Sequence, residues 1–139
     1  MHLTYGWELQ FKVQAQAGYN GKTTEVLSVT APVSKKMILI YVTLNNMEEG
    51  QQLARVLIDR KLTNCVNFIP ITCTFIWEGE ITTEPEIVAL VKTREEHFED
   101  VNAAVKELVS YTNFVGQIEV RKVNDEFNSW LHRVVGHGN

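Results

Sequence analysis

The chain has 139 residues, 45% hydrophobic and 22% charged, with 8 Gly and 3 Pro, a composition that fits one globular body and excludes disorder, collagen and coiled coil. Its net charge is −4, with 13 Lys+Arg scattered among 17 Asp+Glu and no basic stripe, so no nucleic-acid partner is expected. The longest unbroken apolar run, Met37 to Val42, falls far short of the roughly 20 residues a helix needs to span hydrocarbon, so no membrane span is expected.

Nor is a leader expected, because the first arginine is Arg55 and no apolar block precedes Met37. Cys65 and Cys73 are too few for a disulfide scaffold and lack zinc-site spacing, which points to a reducing, cytoplasmic setting.

In chain order, Trp7, Leu9, Phe11, Val13 and Ala15 alternate with polar residues, the period of two that gives a strand one apolar face. Gly18-Tyr19-Asn20-Gly21 then predicts a tight turn, with Glu25 to Ala31 the returning strand. A lone hairpin is marginal in water, so its apolar row should dock on the main body or a neighbouring copy. This extension and its connector occupy residues 1–35. Residues 36–135 form the main domain, and residues 136–139 are a tail.

The main domain reads βαββαβ: strand Met37–Leu44, helix Met47–Leu62, strands Cys65–Trp77 and Ile81–Thr93, helix Glu95–Val109 and strand Gly116–Val123. Asn45 with Glu48 opens the first helix, which should bury Leu53, Ala54, Leu57, Ile58 and Leu62. Thr93 with Glu96 reads as a capping box for the second, which should bury Phe98, Val101, Val105 and Leu108. After Asn124, Phe127, Trp130, Leu131 and Val134 share one stripe and predict a short third helix.

Ile38 to Val42 and Ile87 to Val91 are apolar on both parities, which marks central strands. Pro70 cannot donate to a ladder, and Gln117 to Arg121 alternate, so the other two strands belong at the edges. The result is an α+β, ferredoxin-like domain with an antiparallel sheet and both helices on one face. The opposite face of the central strands is apolar too. Leaving several hundred Å² of it in water marks an association surface, worth several kcal/mol at ~25 cal/mol per Å², and predicts a homo-oligomer.

The run Lys61-Leu62-Thr63-Asn64-Cys65-Val66-Asn67-Phe68-Ile69-Pro70, then Ile76-Trp77-Glu78-Gly79-Glu80-Ile81, Glu86 with Val91-Lys92-Thr93, and Ser129-Trp130-Leu131 together resemble the CutA divalent-cation tolerance family. The resemblance spans roughly Met37 to Val135. It implies a homotrimer, similar in architecture to PII signalling proteins, whose long middle strands join neighbouring copies. It also implies binding of, or response to, metal ions such as copper, with no cofactor required. The alternative is a PII-like signalling or assembly module that takes a small ligand or a protein partner, not identified by the sequence, at the intersubunit cleft. Where the family carries a His-Pro-Tyr stretch, this chain has Val109-Ser110-Tyr111-Thr112-Asn113, with no histidine.

Cys65 is the soft-ligand candidate for copper or zinc, although a cysteine opening a buried strand also suits simple packing. Cys73 shares its parity but lies some 26 Å along an extended strand at ~3.3 Å per residue, so one ion cannot bridge the two within a subunit. Glu86, among Glu78, Glu80 and Glu84, could offer oxygen to a hard cation, or serve as a solvated charge that discourages edge pairing. By resemblance Trp77, Lys92 and Trp130 fall near the cleft as ligand-binding or packing residues. His2, His97, His132 and His137 are expected at the surface. No nucleophile set, phosphate loop or thiol-redox pair is present, so no enzyme is expected.

Overall fold

The computed structural model describes residues 36–135 in full and, before them, the backbone of two strands. The chain divides into two units, Met1–Val33 and Ser34–Asn139. In the first, β1 (Phe11–Ala17) pairs antiparallel with β2 (Thr23–Val29), with Phe11 opposite Val29 and Val13 opposite Leu27. The expected segments Trp7 to Gln10 and Gly18 to Gly21 lie outside the described residues.

The second unit runs β3 (Met37–Leu44), α1 (Met47–Asp59), β4 (Cys65–Trp77), β5 (Glu80–Arg94), a 3-10 turn (Glu95–His97), α2 (Phe98–Leu108), β6 (Val115–Glu119) and α3 (Asp125–Val134). Its sheet order is β4-β5-β3-β6 and every pairing is antiparallel, the ferredoxin-like order expected from the apolar runs. Pro70 lies on the edge strand β4, where one missing donor leaves the ladder intact. Glu78 and Gly79 join β4 to β5 with φ of 50° and 81°, the two positive values of a type I′ turn that follows the strand twist.

One sheet face carries Ile38, Ile40, Val42, Ala89 and Val91, packed beneath Leu53 and Leu57 of α1 and Val101, Ala104 and Val105 of α2. Each fully buried Leu, Ile or Val contributes about 1.5–3 kcal/mol. These residues are the main core. Phe98 and Leu108 sit half-buried at its rim, while Ile58 is exposed, contrary to expectation.

The helix ends differ from the expected ones for local reasons. Asn46, one residue after the expected cap, accepts from the Glu49 amide, while Glu49 Oε2 accepts from the Asn45 amide. This reciprocal pair satisfies donors at the helix start. α1 stops at Asp59, because Lys61 takes a left-handed φ of 58° and the amides of Lys61 and Leu62 bond back to Ile58 and Leu57. That Schellman closure folds Leu62 into the core from outside the helix. Thr93 does not cap α2; its buried hydroxyl donates to the Leu62 carbonyl, and a 3-10 turn leads into the helix instead. His97, expected at the surface, is buried in that turn, whereas His132 is half-buried.

α3 follows Asn124 as expected. Its Leu131 packs with Met37 and Val135, flanked by Leu39, Val120, Val123 and Phe127. Leu39 is on the parity opposite Ile38 and Ile40, so α3 covers one end of the second sheet face.

Candidate functional site

Beyond α3 the second face stays bare. Alternation along the strands places Tyr41, Leu90, Ile69 and Ile71 on it around the buried Val88, continued by Ile118 of β6. Phe114 and Ile118 are exposed, and Phe114 meets Tyr41 edge-on at 5.8 Å between centroids. With Gly116 and Gln117 they line a hollow of about 370 Å³. The β4–β5 ribbon then runs on to its turn, where Ile76, Trp77 and Ile81 are 76%, 63% and 79% exposed. Ile76 and Ile81 pair on the parity of the helix-covered face and Trp77 on the opposite one, so the ribbon leaves large apolar groups exposed on both of its sides.

The register brings two of the candidates together. Cys65 lies directly opposite Lys92, and Lys92 Nζ donates to Cys65 Sγ at 3.4 Å. The ammonium also sits 5.0 Å from the centre of the Phe127 ring, which in turn meets Trp130 edge-on at 5.3 Å. Cys65, Lys92, Phe127 and Trp130 thus form one contiguous group under α3. Thr63 braces its backbone: the hydroxyl donates to the Lys92 carbonyl and accepts from the Cys65 amide. Thr63 is fully buried.

Glu86 and Trp77 stand apart from that group. Glu86 is six residues from Lys92 on the same strand, roughly 20 Å at ~3.3 Å per residue. It sits instead by Cys73, whose thiol is pushed up by burial, by the charge and hydrogen bond of Glu86, and by the charge of Glu84. Cys73 is held as a neutral thiol, and thiolate is the metal-binding form. Trp77 lies at the exposed turn, opposite Glu80.

The Val109 to Asn113 segment is a brace. Tyr111 Oη donates to Glu49 Oε2 and accepts from the Asn45 amide, and Asn113 Nδ2 donates to the Thr43 carbonyl at 2.8 Å. Burial, then the bond to Glu49, raise the Tyr111 phenol above its usual range. Beside this segment Asn102, Lys106, Ser110 and Thr112 help line a hollow of about 490 Å³.

These positions can be tested against a metal ion. Cys65 already has an ammonium as its neighbour, which repels a cation, and Glu86 is out of its reach. Among the described residues no three of His, Cys, Asp and Glu converge. The described groups of one copy do not fit a metal centre.

Sequence reasoning on single residues overlooked the Cys65–Lys92 pair. The signal was present in the hairpin: a two-residue turn at Glu78-Gly79 closes Trp77 on Glu80, and counting back pairs Cys65 with Lys92.

A four-stranded antiparallel β4-β5-β3-β6 sheet, with helices on one face and the other left largely apolar, defines a ferredoxin-like α+β protein. The chain belongs to the CutA1 divalent ion tolerance protein family, whose model matches residues 38–134. It is 38% identical over 97 residues to the divalent-cation tolerance protein CutA of Archaeoglobus fulgidus, covering 69% of this chain and 95% of that one. Among solved structures, the periplasmic divalent cation tolerance protein CutA from Archaeoglobus fulgidus superposes with a TM-score of 0.69 at 37% identity, covering 72% of this chain and 99% of that one. CutA1 from Oryza sativa gives 0.71 at 30% identity, covering 76% and 99%.

Proposed function

We propose that the chain acts as a homotrimeric divalent-cation tolerance protein, with residues 36–135 as the working body and residues 1–35 as an added extension. The observation that carries this reading is the uncovered sheet face from Tyr41 to Ile118, continued by the apolar β4–β5 ribbon. Burying such a face against neighbouring copies supplies the several kcal/mol an isolated domain forgoes. Membership of the divalent ion tolerance family supports divalent metal ions as what the protein meets, and copper is the ion proposed. Because the described residues of one copy gather no ligand set, the reading places any metal contact between copies, with Cys65 as the soft donor that would have to displace its ammonium neighbour. Copper and zinc titration of the purified protein, with and without Cys65→Ala, tests that assignment. A weakened isotherm in the variant supports it, and identical isotherms remove Cys65 from metal binding.

Two free cysteines support a reducing, cytoplasmic setting for the protein. Fractionation of cells expressing it tests this, and recovery outside the cytoplasm would contradict it.

A further inference from the structure

The geometry points to Cys65 and Lys92 as a site of reversible covalent modification, at which a hydroperoxide oxidant joins the two side chains through an S–N bond. Three independent constraints hold the reacting atoms in place. The antiparallel register sets the residues opposite each other, and Nζ rests against Sγ at 3.4 Å, a van der Waals contact. The Thr63 hydroxyl ties the two backbones together. Phe127 caps the ammonium from the other side at 5.0 Å, a cation–π contact of about 0.5–2 kcal/mol that keeps the lysine from swinging into solvent.

The partner chemistry separates this lysine from the ion-paired cations. Lys36 and Arg60 pair with carboxylates, Glu119 and Glu107. Among the described residues Lys92 forms no such pair, and its hydrogen-bond acceptor is a thiol. Cys65 and Lys92 are half-buried rather than sealed, so an oxidant as small as hydrogen peroxide can reach the sulfur. Proximity of this kind makes the second step effectively unimolecular.

The chemistry balances in two steps. The Cys65 sulfur attacks one peroxide oxygen, the O–O bond breaks, and the other oxygen leaves as water, giving a sulfenic acid. The Lys92 nitrogen, having released its extra proton to solvent, attacks the sulfur. The S–O bond breaks, the hydroxyl leaves with the second amine proton as water, and a sulfenamide remains. Overall a thiol, an amine and one hydrogen peroxide become one S–N bond and two waters. The sulfur is oxidised and the peroxide reduced. Two equivalents of an external thiol reverse it, restoring thiol and amine and forming their own disulfide. The linkage would remove the positive charge under α3 and shield Cys65 from irreversible oxidation.

The test uses the full chain carrying Cys73→Ser, so that no disulfide between the two cysteines can imitate the mass change. After hydrogen peroxide treatment, intact mass and peptide mapping should show the loss of two hydrogens and a cross-linked pair of peptides containing Cys65 and Lys92, both reversed by dithiothreitol. Adding Lys92→Arg keeps a cation over Phe127 but supplies no amine. Cys65 should then accumulate sulfinic and sulfonic acid under the same treatment. Peptides that stay unlinked in the lysine-containing protein, whether Cys65 is untouched or oxidised further, overturn the proposal. Should a variant fold poorly, peptide mapping of the unsubstituted chain decides between the same two outcomes, the Cys65–Lys92 cross-link or its absence.

Discussion

Gly50 faces the ring of Phe68 across the α1–β4 contact, and the consequence can be worked out from two opposing terms. A Cβ at position 50 would lie 2.9 Å from Phe68 Cε1 and 3.1 Å from Cδ1, with Ile87 Cγ2 at 3.9 Å. Gly50→Ala gains about 1 kcal/mol of helix propensity, while overpacking a filled core costs about 1–3 kcal/mol. Phe68 packs against the main core from the edge strand, so its ring turns aside only by losing contacts. The clash wins, and the variant should lose about 1 kcal/mol, or about 4–8 °C in Tm for a body of this size. In a Phe68→Leu background the ring edge is gone, and the same Gly50→Ala change should stabilise by up to about 1 kcal/mol. The four-protein cycle then shows a coupling of about 2 kcal/mol. Denaturant unfolding at one fixed protein concentration measures it, since association shifts apparent stability. An equal effect of Gly50→Ala in both backgrounds would show that the Phe68 ring does not limit the site.

Three further outcomes follow from named contacts. Tyr111→Phe removes a phenol bonded to Glu49 and Asn45 and should cost about 1–2 kcal/mol near neutrality. The phenol is raised above its ordinary 10.0 in the fold, so its share of stability is complete below pH 10 and is lost as pH rises beyond it; the gap to the variant should close in alkaline unfolding titrations, and a constant gap would contradict this. Lys61→Gly relieves a left-handed side chain at the α1 terminus, and after the unfolded-state cost of glycine should raise stability by about 0.5 kcal/mol, read from the same unfolding curves. Ile118→Lys puts a charge on the bare face at a residue 47% exposed in a single copy; circular dichroism should be unchanged and the fold within about 0.5 kcal/mol, while size-exclusion mass should fall to that of one chain.

The main architecture was legible because it rests on long-range apolar patterning. Ile38 to Val42 and Ile87 to Val91 are two-sided, Pro70 marks an edge, and those facts order the sheet. Helix ends were less legible, since Asn45-Asn46 and Glu48-Glu49 offer two capping registers and only tertiary placement selects Asn46. Ile58 and Leu62 both follow the helical stripe, yet the Schellman turn at Lys61 buries one and leaves the other exposed. At the candidate site, residue chemistry suggested Cys65 and Glu86, and the family resemblance suggested Trp77, Lys92 and Trp130. Which of them meet depends on strand register, which unites Cys65 with Lys92 and sends Glu86 to Cys73. Lone residue chemistry carries no such distance information.

Sedimentation of the purified protein across micromolar dilutions tests the association of the bare sheet faces most directly. A single species of three times the chain mass that persists on dilution is expected. A stable species of one chain mass, with the fold intact, would contradict that association.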